Sequence, residues 1–189
     1  MKIKRLEINN FRGFQGFHEL DFSVDEKKFV TLVVAENGTG KSNLLESITW
    51  CLFGKLPTQA DKPEIIKNDH SDKKDEISVR LTLLDYEKET PTLRPQEILV
   101  TRTQASNAKS SKLAVYSKDS ATGNMRQIKK GKATIEKLLP ERLTPYFLYS
   151  GEGILDMFKD DDEMDLINSI EDMQGLTYAR EASELLSTY

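Results

Sequence analysis

A chain of 189 residues is long enough for one sizeable domain with a core of its own. Its 38% hydrophobic and 31% charged residues exclude a disordered or membrane-embedded class, and no apolar run approaches the roughly 20 residues that span a bilayer. A formal net charge of −4 excludes a uniformly basic nucleic-acid binder but leaves room for a local basic patch, because phosphates respond to local potential.

The opening residues Met1 to Glu7 lack an apolar h-region, so no secretory signal is expected. Cys51 is the single cysteine, which rules out an intrachain disulfide and fits a reducing, cytoplasmic setting. Ile3, Leu6 and Ile8 alternate with charged residues and predict a strand from Lys2 to Asn9. Asn10 to Phe14 reads as a turn, and Glu19 to Phe22 as a second strand. Lys28 to Val34 is a nearly continuous apolar, β-branched run, the pattern of a strand buried on both faces in a parallel sheet. Leu44, Leu45, Ile48, Cys51 and Leu52 recur at helical spacing, which predicts a helix from Lys41 to Phe53 with Gly54 as its stop.

Residues 55–75 are polar, contain Pro57 and Pro63, and read as an exposed loop. Ile77, Val79, Leu81 and Leu83 alternate as in a half-buried strand. With Glu97 to Thr103 and Lys112 to Tyr116 they predict a small antiparallel sheet inserted after the first helix. A helix is expected over Thr134 to Leu139, and an aromatic strand over Pro145 to Tyr149. The end of the chain reads as helical, with Met164, Ile167, Ile170 and Met173 on one face. The carboxylates between Asp156 and Glu171 match no EF-hand spacing and suit a solvated helix N-terminus.

The sharpest chemical signal is Ala35-Glu36-Asn37-Gly38-Thr39-Gly40-Lys41-Ser42. A buried strand, a glycine-bearing loop and a helix opening with Lys-Ser form the context that a phosphate-binding loop requires. Loop N–H groups make an anion nest, and the helix N-terminus adds positive potential. Gly38 and Gly40 permit the left-handed backbone and close approach of phosphate. Lys41 is placed to reach the β- and γ-phosphates of ATP, and the Ser42 hydroxyl to ligate Mg²⁺. Ala35 stands where the motif has its first glycine, a modest cost if that residue avoids positive φ.

Two stretches together, Met1 to Phe14 with its Asn10-Phe11-Arg12-Gly13-Phe14 core and Glu36 to Ile48, closely resemble the N-terminal head segment of SMC-like ATPases. These include the SMC proteins, the ATPase subunit of the nuclease–ATPase break-repair complex, and DndD-type proteins of DNA modification and phage defence. The resemblance implies an α/β fold: the N-terminal lobe of a P-loop ABC-ATPase head with an antiparallel β subdomain and the start of a coiled coil. It places the lobe at residues 1–162 and a helical lead into the coil at 163–189. It implies an ATP-contacting set of Arg12, Asn37, Gly38, Thr39, Gly40, Lys41, Ser42 and Asn43. The stretch Leu139 to Ile154 is similar to the segment that carries the Q-loop, here Ser150, Gly151 and Glu152. Serine replaces the family's glutamine at position 150 and is too short for the same direct reach to Mg²⁺.

The family's signature motif, its Asp-Glu pair and its switch histidine lie beyond the coiled coil, and none occurs in this sequence; His18 and His70 stand in surface-like contexts. Phosphoryl transfer needs a group that orients the attacking water, so this segment carries no catalytic residue of its own. The resemblance therefore implies a fragment or half-head that needs a C-terminal half, a second copy of the head joined through ATP, DNA, and an effector or nuclease subunit, with no membrane. The alternative is a nucleotide-gated scaffold that recruits an effector nuclease without efficient hydrolysis. A transporter ATPase would carry its motifs in one continuous domain, and a GTPase would carry Asn-Lys-x-Asp, which is absent. For DNA, the candidates are Lys129, Lys130 and Lys132 within a run that also holds Lys109, Lys112, Lys118 and Arg126; strand alternation decides whether these share a face or are an ordinary solvated scatter.

Overall fold

The computed structural model describes residues 1–56, 67–70, 76–86, 95–105, 108, 110–119 and 122–148. The chain divides into two compact units, residues 1–132 and 133–189. The boundary expected at 162/163, the coiled-coil lead, the acidic run and the Q-loop region Ser150, Gly151 and Glu152 all lie outside the described residues.

The first unit is built on one six-stranded sheet: β1 (Lys2–Phe11), β2 (Phe14–Asp21), β3 (Ile77–Tyr86), β4 (Pro95–Gln104), β5 (Lys112–Lys118) and β6 (Met125–Gln127). Their order is β2-β1-β3-β4-β5-β6, every pairing is antiparallel, and β1 meets β3 with Leu6 opposite Leu81 and Ile8 opposite Val79. The later strands do not form the separate sheet expected from the sequence; they extend the N-terminal hairpin. Period-two alternation puts Leu6, Ile8, Val79, Leu81, Leu83, Ile98, Val100 and Val115 on one buried face. Over that face runs α1 (Lys41–Phe53), which contacts β1, β3 and β4.

Helix α1 has the bounds its apolar spacing predicts. It ends because Gly54 adopts φ 75° and donates its N–H to the Trp50 carbonyl at 2.8 Å, the left-handed stop that only glycine takes without strain. Trp50 packs on Phe11 with ring centroids 5.5 Å apart. Cys51 is fully buried, its Sγ–H facing the Val79 carbonyl at 3.3 Å; burial pushes its pKa up to about 12, so it is an inert core thiol.

Two of the expected strands do not form. The segment Lys28 to Val34 is not a strand: Phe29, Val30, Leu32 and Val34 are 69%, 72%, 82% and 82% exposed. A β-branched run makes a strand only where neighbouring strands take up its N–H and C=O groups, and among the described residues no strand pairs with it. The described pairings are antiparallel, so the expected parallel sheet is absent among the described residues. Pro145 to Tyr149 was also expected to be a strand, but Thr144–Phe147 form a helical turn. Pro145 occupies its first turn, where a fixed φ suits a helix and the missing N–H has no intrahelical role.

The second unit holds the remainder of α2 (Gly131–Leu138), a 3-10 turn (Glu141–Leu143) and α3 (Thr144–Phe147), with Ile135, Leu139 and Leu143 buried. Among the described residues no helix is long and apolar enough to cross a membrane.

Candidate nucleotide-binding site

The loop 35–40 leads directly into α1, and its two glycines take the backbone that its chemistry requires. Gly38 has φ 82° and Gly40 φ 103°, the left-handed region closed to most side chains. Gly40 is the N-cap of α1 and accepts the Leu44 N–H at 3.1 Å; no acidic residue occupies the first helical turn. The turn is closed by Thr39, whose Oγ1 donates to the Glu36 carbonyl at 2.7 Å. A helix N-terminus with no acidic residue in its first turn favours an anion.

Lys41 is exposed, and its Nζ donates to the Ala35 and Glu36 carbonyls at 2.7 and 2.6 Å. The cation thus lies folded over its own loop, held by neutral acceptors. Ser42 and Asn37 are exposed, while Asn43 is half-buried. The donor set fits a triphosphate and its metal. Lys41, the loop N–H groups and the α1 N-terminus supply positive potential, and Ser42 offers a hydroxyl oxygen. Among the described residues no cluster of three or more His, Cys, Asp or Glu could hold a metal by itself, so a divalent cation here would share its ligands with phosphate.

The β1–β2 turn closes one side of the loop. Arg12 has φ 46°, and its guanidinium pairs with the Glu46 carboxylate on α1. Both side chains are largely buried, at 17% and 13% exposure, and burial lowers the Arg12 pKa below its ordinary value. Gly13 presses against Asn43; a Cβ there would lie 2.8 Å from Asn43 Nδ2. Beside it the Phe14 ring stands 3.8 Å from a Cβ built on Gly40. A cavity of about 250 Å³ opens between the phosphate loop and this hairpin, with apolar walls from Leu6, Ile8, Phe14, Leu20, Val33, Ala35 and Leu44. Gly40, Lys41 and Asn43 therefore lie together at the start of α1 with Gly13 against them, while the Arg12 guanidinium sits on Glu46 in the second turn. His18 and His70 are both exposed.

The basic run does not share one face. Lys112 and Lys118 alternate with the buried Val115, so they lie on the sheet face away from α1, while Arg126 pairs in register with Ser117 and so belongs to the other. Lys118 also pairs with Glu97 at 3.0 Å. Lys129, Lys130 and Lys132 are exposed around the turn that enters α2, and Lys109 lies outside the described residues.

Sequence reasoning missed two residues. Arg102, only 5% exposed, donates from Nε to the Cys51 carbonyl and from Nη2 to the Leu52 carbonyl, each at 3.0 Å, and so satisfies the C-terminal end of α1 from β4. Its signal was a charged residue at an inward register position, following Ile98 and Val100. The other is Asn68, 6% exposed, whose amide side chain donates to the Arg12 carbonyl. An isolated asparagine in a polar loop gives no signal for such a role.

The DNA replication and repair protein RecF of Clostridium acetobutylicum is 40% identical over 83 residues, 44% of this chain and 20% of that protein. The SbcC component of the SbcCD nuclease of Staphylococcus aureus is 32% identical over 79 residues, 42% of this chain and 8% of that protein. The matched part thus spans a fifth or less of these curated relatives. A chain solved in work on ATP-driven dimerization and DNA-stimulated activation of SMC ATPases has a TM-score of 0.55 at 18% identity, covering 90% of this chain and 99% of its own length. That likeness shows the fold. The family model AAA_23, described as an AAA domain, matches residues 5–187. The chain therefore belongs to the AAA_23 family of AAA domains.

Proposed function

We propose that this chain is the ATP-binding half of an SMC-like ATPase head that acts on DNA in repair, with a cytoplasmic location. The observation that carries the reading is the loop 35–42: left-handed Gly38 and Gly40, an acid-free helix N-terminus, and the Lys41 cation folded over it. The names of the curated relatives, a replication and repair protein and a nuclease component, support the DNA setting. The metal, when bound with nucleotide, supplies charge neutralisation on the phosphates. The chain's own groups do the positioning: Lys41 exchanges its carbonyl acceptors for phosphate oxygens, loop N–H groups donate, Ser42 offers its hydroxyl, and Arg12 stands beside the helix start.

Hydrolysis requires a group that orients water, and that group comes from outside this segment. The exposed run 29–34 supports the same division. It carries strand chemistry without strand neighbours, and it leads straight into the phosphate loop, so a complementary segment of the head would pair with it. A second head joined through ATP, DNA on the exposed lysines around 129–132, and a nuclease-type effector complete the expected partners. The test is titration of a labelled ATP analogue with Mg²⁺. The Lys41→Ala variant is expected to lose binding at least ~100-fold, on the scale of a lost charge-assisted phosphate contact, while its melting temperature stays unchanged because the side chain is exposed. Equal affinity in both proteins would overturn the reading.

A further inference from the structure

The β1–β2 turn holds two non-glycine residues in the left-handed region, Asn10 at φ 53° and Arg12 at φ 46°. Asparagine tolerates that backbone; arginine does so only where its surroundings enforce it. The enforcing contacts come largely from one residue of the segment 67–70. The Asn68 N–H donates to the Asn10 carbonyl at 3.0 Å, and its side-chain amide donates to the Arg12 carbonyl. Its Oδ1 accepts the His70 N–H at 2.9 Å, which fixes the amide's orientation. Asn68 is 6% exposed, so these bonds are made away from water, where losing one costs most. The turn so held carries the Arg12 guanidinium against Glu46 of α1 and presses Gly13 on Asn43, next to Gly40.

We propose that Asn68 is a positioning residue of the nucleotide site: by fastening the Arg12 carbonyl it keeps the guanidinium on Glu46, one turn along α1 from the loop where phosphate binds. The inference rests on the reading that the loop 35–42 holds nucleotide and that Arg12 contributes to its affinity. Without the side-chain donor, the Arg12 peptide relaxes toward an ordinary backbone and the guanidinium shifts from its place on Glu46 beside the loop. Glu46 alone cannot hold it, because an ion pair fixes the charged tip and not the peptide.

The experiment measures affinity for a labelled ATP analogue with Mg²⁺ in the full chain. It compares the native protein, Asn68→Ser, Arg12→Ala, the Arg12→Ala/Asn68→Ser double variant and Lys41→Ala, with melting curves for each. Serine and not aspartate is chosen, because a new carboxylate would itself repel phosphate. Asn68→Ala is the second variant should the serine protein melt early. Asn68→Ser or Asn68→Ala is expected to weaken binding several-fold. The double variant is expected to bind no more weakly than Arg12→Ala alone, since once the guanidinium is gone there is nothing left to aim. A merely structural asparagine would add its loss to that of Arg12→Ala. Additive losses, or unchanged affinity in both Asn68 variants, overturn the inference while the nucleotide site stands. If Lys41→Ala binds as well as the native chain, the nucleotide reading falls, and if Arg12→Ala does, Asn68 has nothing to position; either result overturns the inference as well.

Discussion

Strand β3 and the segment 29–34 are made of the same kinds of residue and have opposite fates. In β3, Ile77, Val79, Leu81 and Leu83 are 0% exposed, with β1 on one side and β4 on the other. In the segment 29–34, Phe29, Val30, Leu32 and Val34 stand 69% to 82% exposed and make no ladder. Apolar, β-branched chemistry does not itself form a strand; lateral hydrogen bonds and a face to bury against do. The first region is self-sufficient and carries the fold. The second keeps its apolar surface open immediately before the phosphate loop, where large exposed apolar patches mark a surface meant to be covered.

That contrast can be broken by mutation. The largest effect is expected from Leu81→Ala, which removes buried methyl groups from the centre of the sheet and should cost about 2–5 kcal/mol in denaturant unfolding. Next comes Arg102→Met. It strips a buried donor from the Cys51 and Leu52 carbonyls, each worth roughly 1–3 kcal/mol when left unsatisfied, and should fray the C-terminal end of α1 as well as lower stability. A smaller effect is expected at Glu97, whose carboxyl is held below its ordinary pKa by hydrogen bonds from Lys4 and Lys118. A depressed folded-state pKa gives stability that is present above the unfolded value and is lost as pH falls through the folded one. Glu97→Gln should therefore lower the unfolding free energy slightly at neutral pH, by about 0.2–1 kcal/mol, and the two proteins should converge in acid. The smallest effect is expected from Leu32→Ser, within about 0.5 kcal/mol, because that side chain is already 82% exposed. A large loss there would mean that the segment is buried in solution and would erase the contrast.

The sequence made some of this legible and not the rest. Helix α1 could be read to the residue because its apolar spacing, the Lys-Ser start and the Gly54 stop are all local signals. β3, β4 and β5 were readable from alternation, but not that they join β1, since pairing is a tertiary choice. β6 has three exposed residues and no pattern to find. The segment 28–34 misled because its composition reports what it can pair with and not whether the partner is at hand. Within the site, the phosphate loop was visible as a motif. The Arg12–Glu46 pair, the Asn68 clamp and the Arg102 cap were not, because each joins residues 34 to 56 positions apart.

The most direct test is backbone hydrogen exchange of the chain alone, with and without Mg-ATP. Amides of residues 37–42 are expected to slow when nucleotide is added, because they become phosphate donors, while those of 29–34 exchange fast in both conditions. Unchanged exchange at 37–42, or protection at 29–34 with no added partner, would contradict the division into a self-sufficient sheet and an open, nucleotide-binding half-site.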